Sequence, residues 1–232
     1  MQRKLWYIRQ AEIFSQLDTV EQEKLAAAST MLSCRRHAPF FLADETSDAV
    51  FLVKQGRIKL SRVTEGGREV IIDILGPGEI FGELALAGEV VRSHSAEALD
   101  EAMVCIIPRG EFEQLLARHP ELALKIMKLI GLRRIELEVR LEDLAFLPLG
   151  ERLVKTLLRL AKRLGKATGQ GGWRLPLTQN DLAQLVGASR EAVAEQLRVL
   201  RVRGLLRTGY RSLLITEPGR LADDMETTSK VV

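Results

Sequence analysis

Two groups of residues in this chain have types and spacings that chemistry can use. In the run GEIFGELALAGEVVRSHSA, Gly82 removes a side chain where backbone could approach a ligand closely. The amides of Gly82, Glu83 and Leu84, and that of Ser93, can donate to phosphate oxygens. Arg92 adds a planar fork suited to phosphate, and Glu83 places an acceptor beside those donors. The competing reading is a surface β-turn with incidental charges. The second group lies in LVGASREAVAEQLRVL. There Val186 and Gly187 close one apolar pattern, Ser189 can cap the next helix, and Val193, Leu197 and Leu200 give that helix one apolar stripe. Its other face carries Arg190, Glu191, Glu195 and Arg198. In a major groove an Arg can pair with guanine O6 and N7, and a Glu can accept from cytosine N4. Otherwise such a face only keeps a helix solvated.

Other chemistries find less support. Arg92 and Glu83 could serve a phosphate-ester hydrolase, but no nucleophile, metal set or positioned base accompanies them, so the chain does not read as an enzyme. Two cysteines, Cys34 and Cys105, exclude a cluster held by four thiolates and fit a reducing cytoplasm. Arg35 and Arg36 are neighbours of the kind that lower a thiol pKa, which leaves a redox role open for Cys34. His37, His94 and His119 are isolated, without the spacing of a haem or metal site.

The elements that must position the two groups follow from hydrophobic period and turn residues. A helix is expected over 19–30. The segments AVFLVKQGRIKLSRV, REVIIDIL, SAEAL and EAMVCIIP then read as short strands separated by QG, TEGG and GPGE turns, the pattern of a barrel or jelly roll. From Arg109 the period becomes helical. Met127, Ile130, Arg134, Leu137, Leu141 and Leu144 alternate spacings of three and four, as a coiled-coil seam requires, and Leu132, Ile135 and Val139 widen the stripe so that one flank can lie on the strand domain. Pro148 breaks this helix. A helix over 151–164, the loop GKATGQGG, a short strand at Trp173, a helix opened by a Thr178–Asp181 capping box, the charged helix and a hairpin around Thr-Gly-Tyr-Arg make a winged helix. The tail after Arg220 is expected to fray. The expected fold class is α+β, with a sensing β-roll over 1–118, a dimerisation helix over 119–147 and a winged helix-turn-helix over 148–232.

Charge divides along the same line. The net charge is +3, but from Pro148 onwards 15 Lys and Arg face 8 Asp and Glu, whereas 19 face 23 before it. A basic C-terminal part suits a polyanionic partner. No signal peptide or membrane-length apolar run is visible, and the expected location is cytoplasmic.

These pieces, in this order, resemble the catabolite activator / Fnr family of bacterial transcription regulators across nearly the whole chain. GEIFGELALAGEVVRSHSA resembles that family's phosphate-binding cassette, LTQNDLAQLVGASREAV its helix-turn-helix, and DLAFLPLGERLVKTLLRLAK its hinge. The resemblance implies a homodimer on a pseudo-palindromic operator in double-stranded DNA, gated by a phosphate-containing effector such as cyclic AMP or cyclic GMP, with RNA polymerase as a further partner. Glu83 would take a sugar hydroxyl. Cyclic-AMP-responsive members place a Thr-Ser pair against adenine; Leu137 and Glu138 stand there in this chain, so adenine selectivity does not follow. Operator binding without cyclic AMP is therefore the alternative. Thr178, Gln179 and Ser189 would donate to DNA phosphates, Arg190 and Glu191 would read bases, and Arg207 and Arg211 would touch backbone. The family's readers carry an Arg one turn beyond Arg190, where this chain has Glu195, so its operator should differ at one position per half-site. A regulatory subunit without DNA binding would leave the basic winged helix idle.

Overall fold

A computed structural model describes residues 2–169 and 171–229. The chain forms two compact units, Met1–Ile135 and Glu136–Val232, and the division falls inside its longest helix.

In the first unit, α1 (Gln2–Gln10) and α2 (Thr19–Ala28) precede eight strands. The strands are β1 (Thr30–Cys34), β2 (Pro39–Phe41), β3 (Ala49–Gln55), β4 (Ile58–Val63), β5 (Glu69–Leu75), β6 (Ile80–Phe81), β7 (Ser95–Ala98) and β8 (Ala102–Pro108). They build two four-stranded sheets, ordered β1-β8-β3-β6 and β2-β7-β4-β5, with antiparallel neighbours throughout. The unbroken apolar run of β3 has a simple cause. Phe51 and Val53 enter the core between the sheets, whereas Val50 and Leu52 enter a second core under the helices. A strand covered on both faces has no polar side to alternate with. Helix α1 was not anticipated from the sequence; Ile8 anchors it in the helix-covered core.

Two helices follow, α3 (Arg109–Arg118) and α4 (Pro120–Phe146), separated at His119. Pro120 opens α4 where its missing N–H costs nothing. The flank of α4 that lies on the strand core is Leu122, Ile126, Leu129 and Ile130. This corrects the expected flank, because Leu132, Ile135 and Val139 are exposed, whereas Ile130 is half-buried against that core.

In the second unit Pro148 stands between α4 and α5 (Leu149–Leu164), as expected of a residue that cannot continue a helix. The remaining elements are β9 (Lys166–Ala167), β10 (Trp173–Leu175), α6 (Gln179–Val186), α7 (Arg190–Val202), β11 (Leu206–Gly209), β12 (Ser212–Ile215) and α8 (Pro218–Ser229). The strands form a sheet ordered β11-β12-β10-β9, whose β11–β12 hairpin is the wing. The expected fraying after Arg220 is overturned for residues 221–229. They belong to α8, which packs on α5 and buries Leu221 completely. The end of that tail, 230–232, lies outside the described residues, as does Gln170 of the loop before β10.

Candidate functional site

Gly82 joins β6 to a 3-10 turn over Glu83–Ala87, in the left-handed region at φ 73°. Glycine is needed there for space as well as for conformation. A Cβ would stand 2.8 Å from Arg92 Nη1, 3.0 Å from the Ala49 carbonyl oxygen and 3.1 Å from the Phe51 ring. Arg92 lies folded inward. Its Nη1 donates to the Gly82 carbonyl at 3.3 Å and its Nη2 to the Ala49 carbonyl at 2.7 Å. The guanidinium carbon is 4.4 Å from the Phe41 ring centre, a cation–π contact. Only 2% of Arg92 is exposed, and its Nε has no partner. Burial lowers the Arg92 pKa from its ordinary value, and Glu89, Asp48, Glu83 and Glu45 act against that.

The other expected cassette residues are held by the protein itself. Glu83 is buried and accepts Arg133 Nη1 at 2.6 Å, while Arg133 Nη2 donates to the Ile80 carbonyl at 2.6 Å. Arg133, on α4, was missed in the sequence, where nothing links it to a carboxylate 50 positions away. Ser93 is exposed, and its amide donates to Glu89 Oε1 at 3.0 Å. Leu84 is half-buried. Leu137 and Glu138 belong to the second unit, where both are exposed on α4.

His94, read as one of three isolated histidines, is buried beside Arg92. Its Nδ1 lies 3.2 Å from the Ser93 hydroxyl, its ring meets Phe41 edge-on, and its Nε2 has no partner. Burial lowers its pKa from the ordinary value against the pull of Glu89 and Glu83, so the ring is neutral at pH 7. His37 is bonded to Glu97 and His119 to Glu121. Burial pushes the Cys34 thiol up, the opposite of what its arginine neighbours could do. Cys105 is fully buried in the core. Among the described residues no group of His, Cys, Asp and Glu could hold a metal, and no helix is long and apolar enough to cross a membrane.

The second surface is built from local caps. Thr178 Oγ1 accepts the Asp181 amide at 3.1 Å, and Asp181 Oδ2 accepts the Thr178 amide at 2.7 Å, closing the box over α6. The Thr178 hydroxyl also donates to Asp181 Oδ2 at 2.7 Å. Gly187 ends α6 in the left-handed region, and Ser189 Oγ accepts the Ala192 amide at 3.1 Å to start α7. Gln179 is half-buried at the start of α6. Val193, Leu197 and Leu200 are buried, which turns Arg190 and Glu191 outward on the first turn of α7. Glu195 and Arg198 share that outer face, and they hold each other in a two-pronged pair at 2.9 and 2.7 Å. Arg198 keeps the Glu195 carboxyl below its usual range. Arg207 is exposed on β11, and Arg211 sits at the hairpin tip with φ 51°, near the exposed Tyr210 ring.

Comparison with known proteins matches two segments of the chain to known families. Residues 31–119 match the family described as the cyclic nucleotide-binding domain, and residues 151–224 match the Crp-like helix-turn-helix domain. The chain is 33% identical over 208 residues to the CRP-like cAMP-activated global transcriptional regulator of Mycobacterium tuberculosis, covering 88% of this chain and 92% of that protein. It is 32% identical over 186 residues to the cyclic AMP receptor protein of Thermus thermophilus, covering 80% and 83%. The same fold is found in the c-di-GMP responsive global regulator CLP of Xanthomonas campestris, with a TM-score of 0.76 at 23% identity over 86% of this chain and all of that one.

Proposed function

This chain belongs to the CRP/FNR family of transcription regulators, and from that premise we propose a homodimer that binds a pseudo-palindromic operator under control of a phosphate-containing small effector. It is a DNA-binding transcription regulator with a cyclic nucleotide-binding domain, not an enzyme. The observation that carries the effector reading is Arg92. A buried guanidinium whose Nε lacks an acceptor, against a glycine that leaves no room for a Cβ, suits a phosphate oxygen. Arg92, Ser93 and the backbone of residues 82–84 would hold the phosphate, and Glu83 the sugar once Arg133 yields it. A cyclic nucleotide, cyclic AMP or cyclic GMP, is the class of ligand this arrangement fits, and both relatives reported above carry cyclic AMP in their names. By resemblance, Leu137 and Glu138 stand where cyclic-AMP-responsive members carry a Thr-Ser pair, which argues against strict selection of adenine.

The dimer rests on α4. Met127, Leu137, Leu141 and Leu144 are large apolar side chains with 62, 46, 67 and 47% of their surface exposed, at spacings of ten, four and three. Burying one such side chain fully stabilises by about 1.5–3 kcal/mol, so a second copy of the same helix is the natural cover. Arg190 and Glu191 then read bases in each half-site, half-sites lie one helical turn apart, Gln179, Ser189, Arg207 and Arg211 position the backbone, and RNA polymerase is the downstream partner. Calorimetric titration with a panel of cyclic nucleotides, with and without operator DNA, tests this. Binding that Arg92→Leu abolishes supports the reading; no heat with any nucleotide, together with full operator affinity, supports instead a regulator that needs no effector. That second reading is favoured by Glu83 already being paired with Arg133.

A further inference from the structure

Glu89 has no place in the reading above, yet both of its carboxylate oxygens are bound. Oε1 accepts the Ser93 amide at 3.0 Å and Oε2 accepts the hydroxyl of buried Ser47 at 3.1 Å. The same carboxylate is the largest favourable charge acting on Arg92 and on His94. These two side chains pack on one ring, Phe41, at 4.4 and 5.9 Å, and each keeps one buried nitrogen without a partner, Arg92 Nε and His94 Nε2. The Glu89 carboxylate therefore holds a backbone amide, next in sequence to Arg92, and a buried hydroxyl, both donors of the kind an anion site uses. Here the chain supplies the anion.

We propose that Glu89 is a tethered counter-anion that occupies the phosphate position of the cassette, and that a phosphate effector binds by displacing it. The proposal rests on the cassette being the effector site, and it names how that site chooses. Burial works against ionising Glu89, but Ser93 and Ser47 outweigh it and keep the carboxyl below its usual range, so the internal anion is charged at neutral pH. An incoming monoanion therefore exchanges one charge for another and gains little from charge alone. Small inorganic anions are rejected. A ligand succeeds only when its remainder adds contacts elsewhere, as the sugar and base of a nucleotide do. Glu89 is thus a specificity-determining residue, and Gly88 before it, in the left-handed region at φ 93° with open space around it, lets the turn carry the side chain away.

The test is isothermal titration of the full chain with cyclic AMP, cyclic GMP and inorganic phosphate, using the wild type, Glu89→Gln, Glu89→Ala and Arg92→Leu. Glu89→Gln keeps the shape and removes the charge, which leaves weaker neutral hydrogen bonds to break, so nucleotide affinity should rise roughly tenfold. Glu89→Ala should make inorganic phosphate bind measurably where the wild type shows no heat, and adding Arg92→Leu should abolish that binding. If the wild type binds nucleotide through Arg92 but both Glu89 variants bind equally or more weakly, Glu89 merely shapes the turn. The proposal is then overturned while the effector reading stands. If no variant binds any nucleotide or phosphate, both fall. Melting curves of the two Glu89 variants, each within a few degrees of wild type, guard against reading misfolding as lost affinity.

Discussion

Gly82→Ala is the sharpest single perturbation of the cassette. The residue sits at φ 73° and ψ 12°, a left-handed conformation that costs an L side chain about 1–2 kcal/mol. The new Cβ would also press on the Ala49 carbonyl oxygen at 3.0 Å and the Phe51 ring at 3.1 Å, neither of which can swing aside. Arg92 Nη1 at 2.8 Å can move, but only by giving up its bond to the Gly82 carbonyl. A hydrogen bond to a charged group is worth about 1.5–3 kcal/mol. Alanine recovers about 0.4–1 kcal/mol through a less flexible unfolded chain, which leaves a net loss of about 2–4 kcal/mol. Gly88→Ala is the control, because Gly88 is also left-handed, at φ 93°, with nothing within 4 Å of its Cβ position. It should lose about 1 kcal/mol from backbone strain alone. The chain has two tryptophans, Trp6 in the first unit and Trp173 in the second. In a Trp173→Phe background, urea unfolding followed by Trp6 fluorescence therefore reports the β-roll. If the two alanine variants lose equal stability, Arg92 is not packed against Gly82 as described, and the close approach that defines the cassette is refuted.

On the DNA side, Arg190→Ala should lose about 1–3 kcal/mol of discrimination at one guanine per half-site, read by competition between operator variants; equal weakening on every sequence would make Arg190 a phosphate contact instead. Thr178→Ala removes the hydroxyl from the capping box and should destabilise the second unit by about 1 kcal/mol, with Thr178→Ser restoring it. Unfolding followed by Trp173 fluorescence in a Trp6→Phe background checks this, and an unchanged midpoint would show that the box does not hold α6. Lys54 is 9% exposed, with its ammonium 5.4 Å from the Tyr7 ring centre, and burial pulls its pKa from 10.5 to about 8. Between those two values the unfolded chain binds the extra proton, so folding stability should rise with pH through that window. Lys54→Met should remove the rise and stabilise the protein at pH 7 by on the order of 1 kcal/mol; parallel stability profiles for the two proteins would refute it.

The caps of α6 and α7, the break at Pro148 and the strands β3, β4, β5, β7 and β8 were legible in the sequence, because each depends on residues a few positions apart. Thr178 and Asp181 meet whatever the rest of the chain does. The apolar stripe of α7 likewise states which face is outward, so Arg190 and Glu191 could be placed on it from period alone. The sequence also carried the order of the parts, from strand-rich sensing region through long helix to basic winged helix, since composition and period change at each junction. Long-range partners were another matter. Arg92 turns inward onto the Ala49 carbonyl 43 positions away, and Glu83 is taken by Arg133 across 50. Those contacts arise only once the two sheets have stacked and α4 has laid Leu122 and Ile126 on the core. The same packing decided which flank of α4 is buried, and it buries Leu221 at the start of α8, where the position near the chain end pointed to fraying. Short-range hydrogen bonds follow backbone geometry that neighbouring residues already dictate. Which charge meets which across a sheet is set by how the layers pack, and only the tertiary structure decides that.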